Sequence, residues 1–180
     1  MEPTLDVPPP VPGDSKDWTW VLTAPCPDCG YDPAAVDVAE IPAMIRDNAA
    51  AWVAVLARPD ATERPRPDVW SPLEYGCHVR DVFVLFDRRL HLMLDDDDPL
   101  FANWDQDETA LAERYWEQQP DVVAGELVAA GDAVAASFAA VAGDQWVRPG
   151  RRSDGARFTV ESFGRYFVHD WVHHRWDVGA

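Results

Sequence analysis

Apolar residues recur at helical spacing in four long stretches, and no other feature of the sequence constrains the fold as strongly. We expect these four helices at about 40–58, 72–94, 121–142 and 160–177. Ser71, Pro72 and Glu74 form a capping box with proline in the first turn, and Thr159 can cap the last helix. A long connection, residues 98–120, separates the second helix from the third. The pattern predicts an all-α four-helix bundle with a long crossover between helices 2 and 3.

Composition divides the chain into three parts. Residues 1–16 are rich in proline and poor in large apolar side chains, which predicts a disordered tail. Residues 17–38 form a tryptophan-rich extension with an irregular backbone, and they contain the motif "PCPDCG". We expect this extension to pack on the bundle, which occupies residues 39–180. Turn signals within 146–160 predict an irregular hairpin before the last helix.

The charge of the chain excludes several kinds of partner. The 180 residues include 32 acidic and 15 basic side chains, a formal net charge of −17. Nucleic-acid binding depends on lysine and arginine contacts with phosphates, so we expect no nucleic-acid partner and no binding to anionic membranes. No apolar run reaches the about 18 residues of a membrane span, and the N-terminus lacks the features of a secretory signal. We therefore expect a cytoplasmic protein, and a homodimer is left open.

Three of the five histidines lie in "FVHDWVHHRWD", residues 167–177. His169 and His173 are one helical turn apart, about 40° around the axis, and such a pair commonly offers two imidazoles to one metal. His174 is rotated about 140° from His169, so we expect it to pack or to support a ligand. On the second helix, His78 interrupts an apolar stretch and needs a polar partner. Spacing alone leaves open whether these histidines bind a metal or are incidental polar groups on an aromatic helix.

Two segments carry a family resemblance: "WSPLEYGCHVRDVF" (70–83) and "FTVESFGRYFVHDWVHH" (158–174). Together they resemble the DinB-like superfamily, which includes the mycothiol-dependent maleylpyruvate isomerase N-terminal domains and the bacillithiol S-transferases. The resemblance spans roughly residues 39–178 and is greatest to an actinobacterial branch with the same cysteine-containing extension. It implies a four-helix bundle in which one histidine of the second helix and a His-x-x-x-His of the fourth hold a divalent metal. Carried over to this sequence, the implied ligands are His78, His169 and His173.

A three-histidine site implies a particular chemistry. Three neutral imidazoles leave the charge of a divalent ion uncompensated and a coordination position open, as in catalytic sites. We expect zinc, although nickel, cobalt and iron also suit such ligands. Because the resemblance implies low-molecular-weight thiols, we expect a metal-dependent enzyme that activates a mycothiol-like thiol for S-transfer to an electrophilic substrate or for its isomerisation. Asp81, about 60° around the helix from His78, is the candidate general base, and a salt bridge with an arginine such as Arg165 is the alternative.

Two other functions stay open. One is a non-catalytic metal- or ligand-binding bundle, such as a stress-linked sensor or a dimeric scaffold. Its metal would be sealed by protein ligands, or its pocket would be filled by side chains such as Trp104. The other is a thiol redox protein that uses Cys26 and Cys29.

The motif "PCPDCG" itself has three interpretations. It resembles a zinc knuckle, but one knuckle supplies only two of the four ligands that a structural zinc needs. Cys77 lies too close to the core of helix two to be expected as a third ligand. Cys26 and Cys29 also suit a redox dithiol, or a loop that folds over the mouth of the bundle and brings both thiols near the histidines.

Overall fold

A computed structural model describes residues 7–13 and 17–180. In these ranges the chain forms α1 (Ile41–Leu56), α2 (Pro72–Asp95), α3 (Gln106–Ala112), α4 (Pro120–Ala139) and α5 (Val160–Asp177). The four long helices α1, α2, α4 and α5 coincide with the predicted ones to within a few residues. The short helix α3 lies in the crossover between α2 and α4. The predicted all-α bundle with its long crossover is therefore confirmed.

A small sheet braces the crossover against the start of α5. Its strands are β1 (Leu100–Phe101), β2 (Pro149–Arg152) and β3 (Arg157–Thr159). Strand β2 pairs in parallel with β1 and antiparallel with β3, so β2 and β3 form the predicted hairpin. Gly150 is required here, because a Cβ atom at this position would lie 2.7 Å from the Phe101 ring and 2.8 Å from Met93.

Local hydrogen bonds explain where the two site-bearing helices begin. Ser71 accepts a bond from the Glu74 backbone N–H at 3.2 Å, and the Glu74 carboxylate accepts one from the Ser71 N–H at 2.8 Å. Arg64 donates to the same buried carboxylate at 2.8 Å. At the start of α5, the Thr159 hydroxyl accepts from the Ser162 N–H at 3.1 Å. Both caps satisfy donors that a helix N-terminus leaves free, so both helices start at fixed positions.

The core lies between helices that pack in a square. Helices α4 and α5 each pack against both α1 and α2. Gly131 allows the close approach of α4, since a Cβ atom there would lie 3.0 Å from Ala49 and 3.1 Å from Phe83. The rings of Phe138 and Phe167 stack across the centre at 5.8 Å. This packing fixes the rotation of α5 and hence the direction of its histidines.

Within the described residues, α4 is the one helix long and apolar enough to meet a composition criterion for a membrane span. It contains three carboxylates, and although Val122 is exposed, most of its large apolar residues are buried in the bundle. The buried ones include Val123, Leu127, Val134 and Phe138. Packing in the bundle core accounts for this composition.

The extension lies along α5 in three short 3-10 turns, Trp18–Leu22, Pro33–Ala35 and Val38–Glu40. The Tyr31 hydroxyl donates to the Arg165 carbonyl at 2.6 Å, and the Arg165 guanidinium donates back to a carbonyl of the extension. The predicted disordered tail falls partly outside the described residues, at 1–6 and 14–16. Its described part, 7–13, reaches the body of the protein, where Arg64 donates to the Pro9 carbonyl at 2.7 Å.

Candidate metal centres

Helix α5 presents two pairs of side chains at i, i+4 spacing on adjoining faces. The first pair is His169 and His173, and the second is Asp170 and His174. The two pairs are offset by one residue, or about 100° around the helix. As a result, the first pair faces the extension, while the second faces α2. Each face completes a separate group of metal-ligating atoms.

The first group, named here the Cys-His group, consists of Cys26, Cys29, His169 and His173. Its four ligand atoms lie within 4.8 Å of one another. The Cys26 Sγ is 3.6 Å from the His173 Nδ1. Both cysteines are free thiols. The extension thus supplies two sulfurs and α5 two imidazoles, which is the ligand set of a four-coordinate zinc site.

A hydrogen-bonded turn holds the two sulfurs in place. The Cys26 N–H donates to the Tyr31 carbonyl at 2.8 Å, and the Gly30 N–H donates to the Cys26 carbonyl at 2.9 Å. Gly30 has a φ of +73°, in the left-handed region where a side chain would be strained. The glycine therefore lets the chain turn back immediately after Cys29.

Aromatic rings cover the Cys-His group. The Trp18 ring lies 5.2 Å from both imidazole centres, and the Tyr31 ring meets the His169 ring edge-on at 5.4 Å. Burial, followed by the neighbouring histidines, lowers the pKa of His169 to about 4. Burial raises the pKa of Cys29 to about 11. His169 is therefore a neutral imidazole at neutral pH, the form that binds metals.

The second group, named here the His-Asp group, consists of His78, Asp170 and His174. Its three ligand atoms also lie within 4.8 Å of one another. The Asp170 Oδ1 is 3.9 Å from the Nε2 atoms of both His78 and His174. The two imidazole rings are perpendicular, with centres 4.7 Å apart. Two imidazoles and a carboxylate thus converge from α2 and α5.

Several atoms of the His-Asp group lack the partners that buried polar atoms need. Within residues 7–13 and 17–180, neither the two ring nitrogens of His78 nor the Asp170 Oδ1 has a hydrogen-bond partner. Burial, and then His174, lowers the pKa of His78 well below its ordinary value. Burial also raises the pKa of Asp170. Because unsatisfied buried polar atoms are costly, a cation among the three ligands would remove the penalty.

Asp177 orients ligands of both groups from the end of α5. It accepts a hydrogen bond from the His174 Nδ1 at 2.9 Å, which directs the His174 Nε2 toward Asp170. Its other oxygen is 3.8 Å from the His173 Nε2. A carboxylate on the far nitrogen of a histidine is a common support for metal ligation, because it fixes the tautomer and the ring orientation.

A cavity of roughly 340 Å³ opens beside the two groups. His169 and His173 line it from the first group, and Asp170 and His174 line it from the second. Its aromatic walls are Trp18, Trp70, Tyr75 and Tyr166. Its other carboxylates are Asp28, Asp107 and Asp177. Among the described residues that line it there is no arginine or lysine, so its wall is acidic and aromatic.

The structure distributes the predicted triad between the two groups. His169 and His173 lie with the cysteines, as one interpretation of "PCPDCG" had it, while His78 lies with Asp170 and His174. Binding of one ion by His78, His169 and His173 together stays a prediction, which metal stoichiometry can test. Cys77 lies apart in the core, where its thiol is 3.5 Å from the Gln118 side-chain oxygen.

Asp81 is not among the residues that line the cavity. Arg80 donates to its Oδ1 at 2.8 Å, and the Tyr115 hydroxyl donates to its Oδ2 at 2.5 Å. It lines a separate hollow beside Trp104. The salt bridge considered as the alternative is present, with Arg80 as the partner, since Arg165 pairs with Glu161. The role of Asp81 as a general base stays a prediction.

Sequence reasoning assigned no ligand role to Asp170 or His174, although a signal for them existed. They repeat the i, i+4 spacing of the histidine pair one residue later. The rotation of His174 away from His169 excludes one ion bound by both histidines, but it does not exclude a second ion on the other face of α5. With partners on two sides of the helix, both pairs can bind.

The comparisons agree with this architecture. The DinB superfamily model matches residues 43–178. Among solved structures, the chain is similar to YfiT from Bacillus subtilis, described as a probable metal-dependent hydrolase with an unusual four-helix bundle topology. The two are 18% identical, the match covers 78% of this chain and 81% of that one, and the TM-score is 0.62. Comparison with curated proteins gives no significant match.

Proposed function

This chain belongs to the DinB superfamily, and from that premise and the His-Asp group we propose that it is a metal-dependent enzyme that activates a low-molecular-weight thiol. The reaction would be transfer of the thiol sulfur to an electrophilic substrate, or a thiol-dependent isomerisation. One observation supports this proposal above others: three ligands, and no fourth among the described residues, converge beside a cavity whose wall includes two of them, Asp170 and His174. Three protein ligands with an open position are typical of catalytic metal sites.

The residues of the His-Asp group fit a divalent ion. Both ring nitrogens of His78 and the Asp170 Oδ1 are buried and have no hydrogen-bond partner within the described ranges. His174 is oriented by its hydrogen bond to Asp177. One carboxylate among the ligands would lower the net charge of the centre by one relative to three histidines. Two imidazoles and a carboxylate suit zinc and iron in particular. When bound, such an ion lowers the pKa of a thiol or a water in its open position.

The cavity walls would select and orient the substrates. Trp18, Trp70 and Tyr75 offer flat apolar surfaces against which a small organic molecule can pack. Asp28 and Asp107 place negative charge at the same wall. Carboxylate-bearing substrates would be repelled, because no basic side chain among the described lining residues compensates them. We expect neutral or cationic thiols and electrophiles.

The proposed transfer is a nucleophilic substitution at the electrophilic carbon. The thiol loses its proton to a carboxylate of the cavity wall, and its sulfur forms a bond to the electrophilic carbon. The leaving group departs with the bonding electron pair. The chain's own contribution is to position both reactants and to exclude bulk water from the aromatic part of the cavity.

The non-catalytic alternative also has an observation in its favour. The Cys-His group offers four protein ligands and would seal its metal, which was the expected mark of a binding or structural protein. Trp104, however, stacks on His78 at 5.6 Å and lines the neighbouring hollow, so the cavity stays open. Burial raises the pKa of Cys29, which counts against Cys29 as the attacking thiol of the redox alternative, since reactive cysteines have lowered values.

The test is consumption of thiols with monochlorobimane as the electrophile. Full-length protein purified without chelator should conjugate a neutral thiol faster than the chelator-treated protein does. A thiol with an added carboxylate should react more slowly. Equal rates with and without metal, across several neutral and cationic thiols, would contradict the proposal. Metal-dependent hydrolysis of esters or amides without thiol consumption would instead favour water as the nucleophile.

A further inference from the structure

We propose that Cys26, Cys29, His169 and His173 bind a zinc ion in a closed Cys2His2 site that fastens the extension to α5. This site would be structural and separate from the His-Asp group. The inference does not depend on the proposed enzymatic activity, because it concerns other ligands and another consequence of binding.

The spacing of the donors fits a tetrahedral zinc ion. With Zn–S near 2.3 Å and Zn–N near 2.1 Å, a sulfur and a nitrogen on one tetrahedral ion lie about 3.6 Å apart. The Cys26 Sγ and the His173 Nδ1 are 3.6 Å apart. The remaining ligand atoms fall within 4.8 Å of one another, so all four can reach one ion after small side-chain rotations.

The surroundings of the donors also favour a bound ion. Cys26 and His169 are buried, and within residues 7–13 and 17–180 the His169 Nε2 has no hydrogen-bond partner. The two thiols can satisfy the His169 nitrogen only weakly, since a thiol is a weak donor and a weak acceptor. Zinc binds thiolate and neutral imidazole readily, and Cys2His2 is one of its usual structural ligand sets.

The backbone around the cysteines is prepared for this role. The turn that begins at Cys26 is closed by its hydrogen bonds with Gly30 and Tyr31. Tyr31 then anchors the turn on α5 through its bond to the Arg165 carbonyl. The knuckle therefore meets the helix in one orientation, with Cys26 against His173. This supplies the two ligands that an isolated knuckle lacks.

The consequence reaches the neighbouring cavity. Trp18 and Asp28 belong to the extension and line the cavity beside the His-Asp group. A zinc ion that holds the extension against α5 would therefore fix one wall of that cavity. Its four protein ligands leave no position for substrate, so its effect on any reaction would be indirect.

Cobalt(II) substitution of the full chain tests the ligands directly. Cobalt bound by thiolates gives an intense thiolate-to-cobalt charge-transfer absorption, which histidine and carboxylate ligands do not give. We expect this absorption in wild type and in His78→Ala with His174→Ala. It should disappear in Cys26→Ser with Cys29→Ser, and it should persist in Cys77→Ala, the matched loss of a cysteine outside the group.

The outcomes separate this inference from the proposed function. Folded wild type that binds cobalt without the thiolate absorption would overturn the inference, and so would absorption that survives loss of Cys26 and Cys29. Absorption with the expected dependence but no thiol-transfer activity would support the inference and count against the enzyme. If a cysteine variant fails to fold, the wild-type spectrum still decides.

Chymotrypsin provides a second measurement, because the extension contains Trp18, Trp20 and Tyr31. Zinc-loaded wild type should be cleaved slowly between residues 17 and 38. Chelator should accelerate this cleavage about tenfold or more, as expected when opening of the segment is eased by over about 1.4 kcal/mol. Cleavage that is unaffected by chelator would contradict a fastening role for the ion.

Discussion

The two faces of α5 carry the same spacing of ligands but meet different partners. On one face, His169 and His173 meet two cysteines of the extension. On the other, Asp170 and His174 meet one histidine of α2. Four ligands close a coordination sphere, whereas three leave a position open. We infer that the packing partner, and not the helix motif, determines whether such a pair is completed to four candidate ligands or to three.

The roles of the two groups are best distinguished by removing ligands from one group at a time. We expect His78→Ala with His174→Ala to reduce kcat/KM for thiol transfer about 100-fold or more, because metal catalysis is worth several kcal/mol. Cys26→Ser with Cys29→Ser should reduce it only a few-fold. Steady-state rates of metal-loaded variants check this. Equal losses in both double variants would mean that the faces act as one site.

Asp177 is predicted to support the His-Asp group more strongly than the Cys-His group. Its hydrogen bond to His174 is 2.9 Å, while its distance to His173 is 3.8 Å. Asp177→Asn should weaken metal binding at the His-Asp group about 10- to 100-fold, the usual effect of such a support. Competition with a chromophoric chelator measures the affinity. Asp132→Asn, an equal charge change on α4, should have no effect, and an effect of the same size there would refute the role of Asp177.

An ion bound by the Cys-His group should stabilise the folded protein. An ion present at about 100 times its dissociation constant stabilises a protein by about 2.7 kcal/mol. At about 2–4 °C per kcal/mol for this chain length, Cys26→Ser with Cys29→Ser should lower the melting temperature by roughly 5–10 °C. Added zinc should raise the melting temperature of wild type more than that of the variant, which keeps only the His-Asp group. Calorimetry in which zinc stabilises both proteins equally would contradict a structural ion at the cysteines.

The smallest effect is expected from removal of the Trp18 ring, which covers the Cys-His group. Trp18 contacts both His169 and His173, so Trp18→Ala should speed the loss of zinc to a chelator a few-fold without changing zinc content. Trp20 stacks on Trp18 at 5.9 Å, and Trp20→Ala is the matched control. Stopped-flow chelation compares the two. Identical rates for both variants and wild type would show that Trp18 does not shield the group.

The sequence predicted the bundle well because its signals are local. The capping box at Ser71, the cap at Thr159 and the apolar stripes each act within a few residues, so the helices could be placed without tertiary information. The ligand sets could not be placed in the same way. Whether Cys26 meets His173 depends on how the extension folds back over α5, a contact between residues 147 positions apart.

The rotation of α5 was the other quantity beyond the reach of sequence. A shift of one residue exchanges the face of His169 for that of Asp170, and only packing of rings such as Phe138 and Phe167 determines which face meets α2. Family resemblance supplied the expectation of one metal and three histidines. The additional candidate ligands Cys26, Cys29, Asp170 and His174 come from spatial proximity alone.

The most direct test of two separate centres is the metal content of matched variants purified without chelator. We expect two ions per wild-type chain, one after Cys26→Ser with Cys29→Ser, and one after His78→Ala with His174→Ala. A single ion per wild-type chain would contradict the two centres, most directly if that ion survived loss of both cysteines and of Asp170 but disappeared in His78→Ala and in His169→Ala. That result would establish one site of His78, His169 and His173.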